Sequence, residues 1–288
     1  MLKQKENGGS NMIFGCHVSI RNGYLGAAKY AQSIKAKAFQ YFPKNPRSLI
    51  VKDFDKLDAG HCKELCREHN LLSIAHTPYP TSLTPADDKR EAVIDSLIND
   101  LQIAEACGSV GVVVHYGSHT IGQDPLSGYR VMIEMLDEVL KDWDGSSLLL
   151  LENNAGKPGS MGTTLEELVS VRSLSNYSEK IGFCLDTCHA YASGLWNGDN
   201  WHEVVETGEK LDYFSHLKAI HFNNSIYPSG EGKDRHANIF KGGCISETSF
   251  QSLMDTEFLK QVPFILETPS EYGISHEEEL QQLYDKWN

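Results

Sequence analysis

The run Ile181-Gly182-Phe183-Cys184-Leu185-Asp186-Thr187-Cys188-His189-Ala190 decides how this chain is read. Apolar and small residues lead straight into Asp186, and His189 follows three positions later. This is the pattern of a buried strand that delivers a carboxylate and an imidazole at its C-terminal end, as a metal site requires. Taken alone, it fits equally well a helix-capping Asp followed by a solvated loop His. The chain repeats the device, however, and the repetition carries the weight.

Working outward, apolar strand-like runs fall at residues 13–18, 36–42, 71–75, 111–114, 148–151, 181–185, 217–220 and 263–266. Segments of helical period separate them, at residues 23–34, 53–70, 85–107, 127–143, 164–175, 201–214, 246–260 and 275–287. Eight strands, each followed by a helix, predict an α/β fold: a TIM (β/α)8 barrel forming a single domain over residues 12–288, with residues 1–11 as a flexible tail. A length of 288 residues suits that architecture. A doubly wound open sheet is the competing fold, but it would carry a phosphate-binding G-x-G-x-x-G after its first strand, and the residues from Gly15 to Gly26 do not spell one.

The C-terminal ends of these strands are where a barrel of this kind keeps its active site. Strand three ends Ile74-Ala75-His76, strand four Val113-Val114-His115 and strand five Leu150-Leu151-Glu152. Strand six ends Leu185-Asp186, strand seven Ala219-Ile220-His221 and strand eight Ile265-Leu266-Glu267. His, Asp and Glu make up little more than a sixth of the sequence, so six consecutive strands ending in one of them is not a chance pattern. Past the strand ends lie His189 and the loop Lys233-Asp234-Arg235-His236. An Asp-x-His pair in extended backbone turns both side chains to one face and, with His189, can close a further metal site; the alternative is a solvated charged loop. Five His, two Asp and two Glu form a nitrogen and oxygen ligand set that suits Zn2+ and also accommodates Mn2+ or Fe2+.

Composition bounds the rest. The chain is 40% hydrophobic and 23% charged, and no apolar run reaches the ~18 residues of a membrane span. The leader Met1 to Asn11 is polar and lacks the apolar centre of a secretory signal, so a cytoplasmic or nuclear protein is expected rather than a secreted one. Seven scattered cysteines make no disulfide framework and imply a reducing compartment. A thiolate site on Cys184 and Cys188 is disfavoured, because Asp186 already claims the strand end. The net charge of −13 argues at first against nucleic acid. Bound divalent cations would nevertheless make an acidic protein locally positive at its cleft.

Several segments together carry a family resemblance. They are Gly15-Cys16-His17-Val18-Ser19, His115-Tyr116-Gly117-Ser118-His119, Leu151-Glu152-Asn153 with Ala155-Gly156, and Leu185-Asp186-Thr187-Cys188-His189-Ala190. Lys218-Ala219-Ile220-His221-Phe222-Asn223, Asp234-Arg235-His236 and Leu266-Glu267-Thr268 complete the set. From about Met12 to the C-terminus the chain resembles endonuclease IV, the zinc-dependent apurinic/apyrimidinic endonuclease family. The resemblance implies three Zn2+ per chain, with His76, His115 and Glu152 on the first ion. Glu152, Asp186, His221 and Glu267 would hold the second, with Glu152 bridging, and His189, Asp234 and His236 the third. It also implies hydrolysis of the phosphodiester 5' to an abasic site in double-stranded DNA, leaving a 3'-hydroxyl, and removal of 3'-blocking groups, with Glu267 and Glu152 at the chemistry. Family members flip the damaged nucleotide and fill the gap with loop side chains; by position these are Arg47 in Lys44-Asn45-Pro46-Arg47 and Tyr79 in His76-Thr77-Pro78-Tyr79. A monomer is expected. The chain departs from the pattern at Cys16, where Ala is common, in the loop Asn224-Ser225-Ile226-Tyr227-Pro228, and at Phe240, where Gly is expected.

Two rival functions fit parts of this reading. A sugar isomerase or epimerase on the same barrel would use one metal on Glu152, Asp186, His221 and Glu267, which leaves His76, His115, His189, Asp234 and His236 without a task. A DNA-binding module that has lost its activity would not be expected to keep the whole ligand set.

Overall fold

All eight apolar runs are strands in the computed structural model, which describes residues 12–119, 124–270 and 274–287. The tail read at residues 1–11 lies outside the described residues. The barrel strands are β1 (Phe14–His17), β2 (Ala38–Tyr41), β3 (Leu72–His76), β4 (Gly111–His115), β5 (Leu148–Glu152), β6 (Ile181–Asp186), β7 (Leu217–His221) and, after a two-residue-per-strand ribbon of β8 (Asn224–Ser225) and β9 (His236–Ala237), β10 (Phe264–Leu266). The barrel strands all pair in parallel, in the closed order β1-β10-β7-β6-β5-β4-β3-β2. Closure between β1 and β2 needs a glycine: a Cβ on Gly15 would sit 1.9 Å from the Ala38 carbonyl oxygen.

The interior is layered by strand alternation. Outward residues such as Phe39, Val112, Val114, Leu149 and Leu151 pack under the helices, while Ala38, Ile74, Val113, Leu150, Cys184, Ala219 and Ile265 form a separate dry cluster inside the barrel. These inward side chains plug the barrel, so it has a floor rather than a channel.

The helices are α1 (Gly23–Ser33), α2 (Lys56–His69), α3 (Arg90–Cys107), α4 (Pro125–Leu140), α5 (Leu165–Leu174), α6 (Thr187–Ser193), α7 (Trp201–Lys210), α8 (Glu247–Met254) and α9 (His276–Trp287). Their ends carry local signals: Asp55 caps α2 through the N–H groups of Leu57 and Asp58, and Thr164 with Glu167 forms a reciprocal capping box on α5. Three expected helices are shorter than their periodicity suggested. Residues 85–89 hold only a 3-10 turn before α3, α7 stops at Lys210, and residues 246–260 divide into α8 and a 3-10 turn at Glu257–Gln261. The sequence reading missed α6 and the β8/β9 ribbon. Residues 187–192 of α6 are all buried, so no polar face marks them as helical. No helix among the described residues is long and apolar enough to cross a membrane.

Candidate metal centre

Two residues beyond the dry cluster, every barrel strand turns a polar side chain into the mouth. Ile74 is followed by His76, Val113 by His115, Leu150 by Glu152, Cys184 by Asp186, Ala219 by His221 and Ile265 by Glu267. The same step leads from Ala38 to Gln40 and from Gly15 to His17, so the ring has eight members, one per strand. The sequence reading found six of them. His17 and Gln40 give no such signal, because β1 and β2 read as ordinary strands with one polar residue each. His17, His76, His115, Glu152, His189, Asp234, His236 and Glu267, together with Tyr79, line one cavity of about 660 Å³.

Asp186 performs both of the roles that its sequence context allowed. One carboxylate oxygen accepts the His189 N–H at 2.6 Å and caps α6, while Oδ2 faces His221 Nδ1 at 3.8 Å and His236 Nε2 at 3.8 Å. His189 therefore sits in the first turn of α6 rather than in a loop. Asp234 reaches His189 Nε2 through one oxygen and His236 Nε2 through the other, at 3.3 Å each. Glu152 stands at the centre, 3.6 Å from His76 Nε2, 3.4 Å from His115 Nδ1, 3.4 Å from His189 Nδ1 and 2.8 Å from His221 Nδ1. Among the described residues, four groups of potential ligand atoms follow: His76, His115 and Glu152; Glu152, Asp186 and His221; His189, Asp234 and His236; and, with a thiol, Asp186, Cys188 and His236. Glu267 Oε2 lies 3.3 Å from His221 Nδ1, beside the second group.

These residues fit divalent ions on three counts. Several separations of 3.3–3.6 Å are long for hydrogen bonds yet match the ~3.3 Å edge of a tetrahedron with metal–ligand bonds of about 2.0–2.1 Å. Glu152 Oε2 and His236 Nε2 are buried without a hydrogen-bond partner, and both residues belong to the candidate ligand groups. Third, one nitrogen on each of three rings is occupied by a backbone carbonyl: His76 Nδ1 bonds that of Thr77 at 2.9 Å, His189 Nδ1 that of Asn153 at 2.9 Å and His236 Nδ1 that of Glu267 at 3.3 Å. A carbonyl accepts only, so each Nδ1 carries the hydrogen and each Nε2 is left as a potential ligand.

The electrostatics of the metal-free site point the same way. Burial raises the Glu152 carboxyl, but the His115, His221 and His76 imidazoles outweigh it and hold the group well below the ordinary carboxylate range. Burial lowers His236, yet Asp234, Asp186 and Glu267 reverse this and lift it to about 9. His189 is likewise driven up, against burial, by Asp186, Asp234 and Glu152. Asp186 moves the other way because burial, which raises its carboxyl, exceeds the pull of His189 and His236. Protons on imidazoles are balancing carboxylates here, the condition in which cations displace protons on binding.

Comparison with known proteins accords with this geometry. The family described as xylose isomerase-like TIM barrel matches residues 28–286. A probable endonuclease 4 from Symbiobacterium thermophilum is 40% identical over 91% of this chain and 96% of its own length. The chain belongs to the endonuclease IV family. A second family member, a probable endonuclease 4 from Akkermansia muciniphila, is 33% identical over 95% of this chain and 98% of its own. The crystal structure of endonuclease IV from Thermus thermophilus superposes with a TM-score of 0.82 at 28% identity, covering 95% of this chain and 98% of its own. Membership places this endonuclease IV homologue among the nucleases, which are hydrolases.

The rim residues differ in placement. Tyr79 is 67% exposed and lines the cavity, its ring 5.2 Å from Phe42, which in turn lies 5.5 Å from the His76 ring. Arg47 is exposed on the neighbouring loop and does not line the cavity, but the Tyr79 N–H donates to the Pro46 carbonyl at 2.8 Å and so ties the two loops together. Beneath them a fully buried ion pair, Lys44 Nζ to Asp100 Oδ1 at 2.7 Å, anchors the Arg47 loop to α3. Cys184 and Cys188 do not oppose each other across a strand: Cys184 points inward on the same side as Asp186, one layer below it, and Cys188 is on α6. Cys188 lies near Asp186 and His236, yet its thiol contacts the Arg235 carbonyl and is raised by burial and by Asp186, which disfavours the thiolate a metal needs.

The endonuclease IV homologue also builds supports that its sequence did not reveal. Asn153 donates to the Asp186 carbonyl and accepts the Asp186 N–H, while Asn223 donates to the Asp186 carboxylate and accepts the Glu267 N–H. Glu279 on α9 is fully buried and accepts from Ile239 N–H, Asn238 and Thr268, which joins the segment after His236 to the segment after Glu267. Ordinary polar residues in apolar surroundings give no local sign of such long-range partners.

Proposed function

We propose that this chain hydrolyses the phosphodiester 5' to apurinic or apyrimidinic sites in double-stranded DNA, leaving a 3'-hydroxyl, and removes 3'-blocking groups, as a zinc-dependent deoxyribonuclease IV of base excision repair. The number of converging ligands carries this reading. Nine nitrogen and oxygen ligands gather at the mouth, and Glu152, Asp186, His221 and Glu267 would suffice for a one-metal sugar isomerase. His76 and His115 would complete a first ion with Glu152, and His189, Asp234 and His236 a third. Zn2+ suits all three positions, and Mn2+ or Fe2+ suits the carboxylate-rich second one.

Divalent ions bound there supply the positive charge that activates water, neutralises a phosphodiester and stabilises a departing oxygen. The chain's own groups do the rest. Glu152, which belongs to two of the candidate groups, would be shared between two ions. Glu267 orients the attacking water and accepts its proton, being held in place by hydrogen bonds from Gln40 and Asn223. Tyr79 offers an exposed ring to the gap left by a flipped nucleotide, and Arg47 offers a cation to the backbone beside it. The acidic chain then meets DNA through a mouth made locally cationic by its metals. The enzyme is read as a monomer of a reducing compartment, cytoplasmic or nuclear, in keeping with six buried free cysteines and one exposed.

Metal counting by mass spectrometry, paired with cleavage of a duplex holding one abasic site, tests this. The expected result is close to three metals per chain, predominantly Zn, retained through brief EDTA treatment, and incision 5' to the lesion. A single weakly held Mn or Mg without incision would overturn it in favour of the isomerase.

A further inference from the structure

Gln40 is fully buried at the end of β2, where the other barrel strands carry His, Asp or Glu, and it belongs to none of the ligand groups. Its amide touches three members of the ring. Nε2 lies 2.6 Å from Glu267 Oε1 and 3.2 Å from His17 Nδ1, and Oε1 lies 2.7 Å from His221 Nε2. The orientation is forced. A carboxylate only accepts, so the amide nitrogen must face Glu267, because the reverse flip would set two acceptors 2.6 Å apart. The amide oxygen must then face His221, whose Nε2 must carry a hydrogen. The other nitrogen, Nδ1, hydrogen-bonds Glu152 Oε1 at 2.8 Å and faces Asp186 and Glu267, so the hydrogen it shares with these carboxylates is the one that a bound metal would displace. The second amide hydrogen goes to His17 Nδ1, which leaves the hydrogen of a neutral His17 on Nε2 in a residue that lines the cavity.

We propose that Gln40 is a positioning residue for the reaction: one neutral amide commits His221 to bind through Nδ1, occupies Oε1 of Glu267 so that Oε2 is the ligating oxygen, and keeps His17 as a hydrogen-bond donor beside the substrate. Gln is suited to this task where its neighbours are not. It donates twice and accepts once without changing charge, whereas a carboxylate would repel Glu267 and an imidazole could not serve three partners. The assignment of Glu267 Oε2 and of the His221 Nδ1 lone pair to ligation rests on the three-ion reading above; the hydrogens on Nε2 of His221 and of His17 follow from the hydrogen bonds alone.

The test uses the full-length, metal-loaded enzyme with the variants Gln40→Met and Gln40→Glu. Nitrogen-correlated NMR of labelled histidines reads the tautomers, a chromogenic chelator reads the rate of metal release, and an abasic duplex gives kcat and KM. In the wild type, His221 and His17 are expected to carry hydrogen on Nε2. Gln40→Met is expected to shift the His221 Nε2–H signal, to speed release of one metal and to lower kcat, each of the last two about 10–100-fold, with KM unchanged. Gln40→Glu, which sets one carboxylate against another, is expected to lose metal faster still. Wild-type release, turnover and His221 signal in Gln40→Met would overturn the proposal. Should that variant fail to fold, an Nδ1-protonated His17 or His221 in the wild-type enzyme would overturn it as well. A wild type that shows these tautomers but leaves abasic DNA uncut would count against the proposed function and not against the role of Gln40 in fixing the tautomers.

Discussion

On the inner face of the barrel, the driest layer and the most charged layer are separated by two residues of strand, about 6.6 Å. Ile74, Val113, Leu150, Cys184, Ala219 and Ile265 make the lower layer, and His76, His115, Glu152, Asp186, His221 and Glu267 stand directly above them. The strands, their pairing and their direction are the same in both layers, yet one layer holds the fold and the other gathers the candidate ligands. Burying the charged layer is tolerable because most of its polar atoms pair with one another or with Gln40, Asn153 and Asn223, while Glu152 Oε2 is left for a cation to meet. The dry layer gives those ligands a rigid base, since close-packed interiors have low compressibility. A third region, the rim with Arg47 and Tyr79, is exposed and has no such constraint.

If that separation holds, the largest loss of turnover belongs to Glu267. Glu267→Gln keeps the shape and one oxygen donor but loses basicity, so single-turnover cleavage should fall by about 100–10,000-fold. Band-shift assays should show abasic duplex still bound and uncut. Near-normal cleavage would remove Glu267 from the chemistry, and joint loss of metal and binding would reduce it to a structural ligand.

A smaller effect is expected one position outward. Asp234 joins His189 to His236, so Asp234→Ala should strip one metal of three and leave the other two in place, lowering turnover while the melting curve keeps its cooperative shape. Elemental analysis per chain decides it; loss of all metals together would mean that the three groups are one cooperative unit.

The rim should respond in binding rather than in metal content. Tyr79→Ala removes a stacking surface worth about 1–3 kcal/mol per base in single-strand binders, so a weakening of abasic-duplex cleavage near tenfold is expected, with Arg47→Ala smaller and more salt-dependent. Full metal content with wild-type cleavage in both variants would take these residues out of the interface.

The dry layer should give the smallest functional change and the clearest stability change. Leu150 is fully buried, and Leu150→Ala should cost about 2–5 kcal/mol of stability, measured by denaturant unfolding, while turnover well below the melting temperature stays close to wild type. A large fall in turnover of the folded variant would show that the two layers are not separable.

Much of the mouth was legible because a His, Asp or Glu that abruptly ends an apolar run contradicts burial and demands a partner. His76, His115, Glu152, Asp186, His221 and Glu267 all announce themselves in this way. Gln40 does not, since in Ala38-Phe39-Gln40-Tyr41-Phe42 one neutral polar residue reads as ordinary alternation. His17 was noticed only as part of a family-like segment. The α6 helix and the β8/β9 ribbon escaped because both are short and lie among buried neighbours, where period carries no signal.

Sequence by itself determined what depends on near neighbours: the alternation of strand and helix, the inward His, Asp or Glu at six strand ends, and a candidate ligand set of nitrogen and oxygen. Tertiary structure alone decided which of these residues meet. Gln40 touches Glu267 across 227 positions of sequence because β1 closes the barrel between β2 and β10, and His221 meets Glu152 because β5 and β7 flank β6 on the curved barrel wall. For His17, His189, His221 and His236, which nitrogen carries a hydrogen is likewise set by distant partners. Periodicity records the local surroundings of a residue, whereas ligand grouping and protonation depend on contacts made only when the sheet closes on itself.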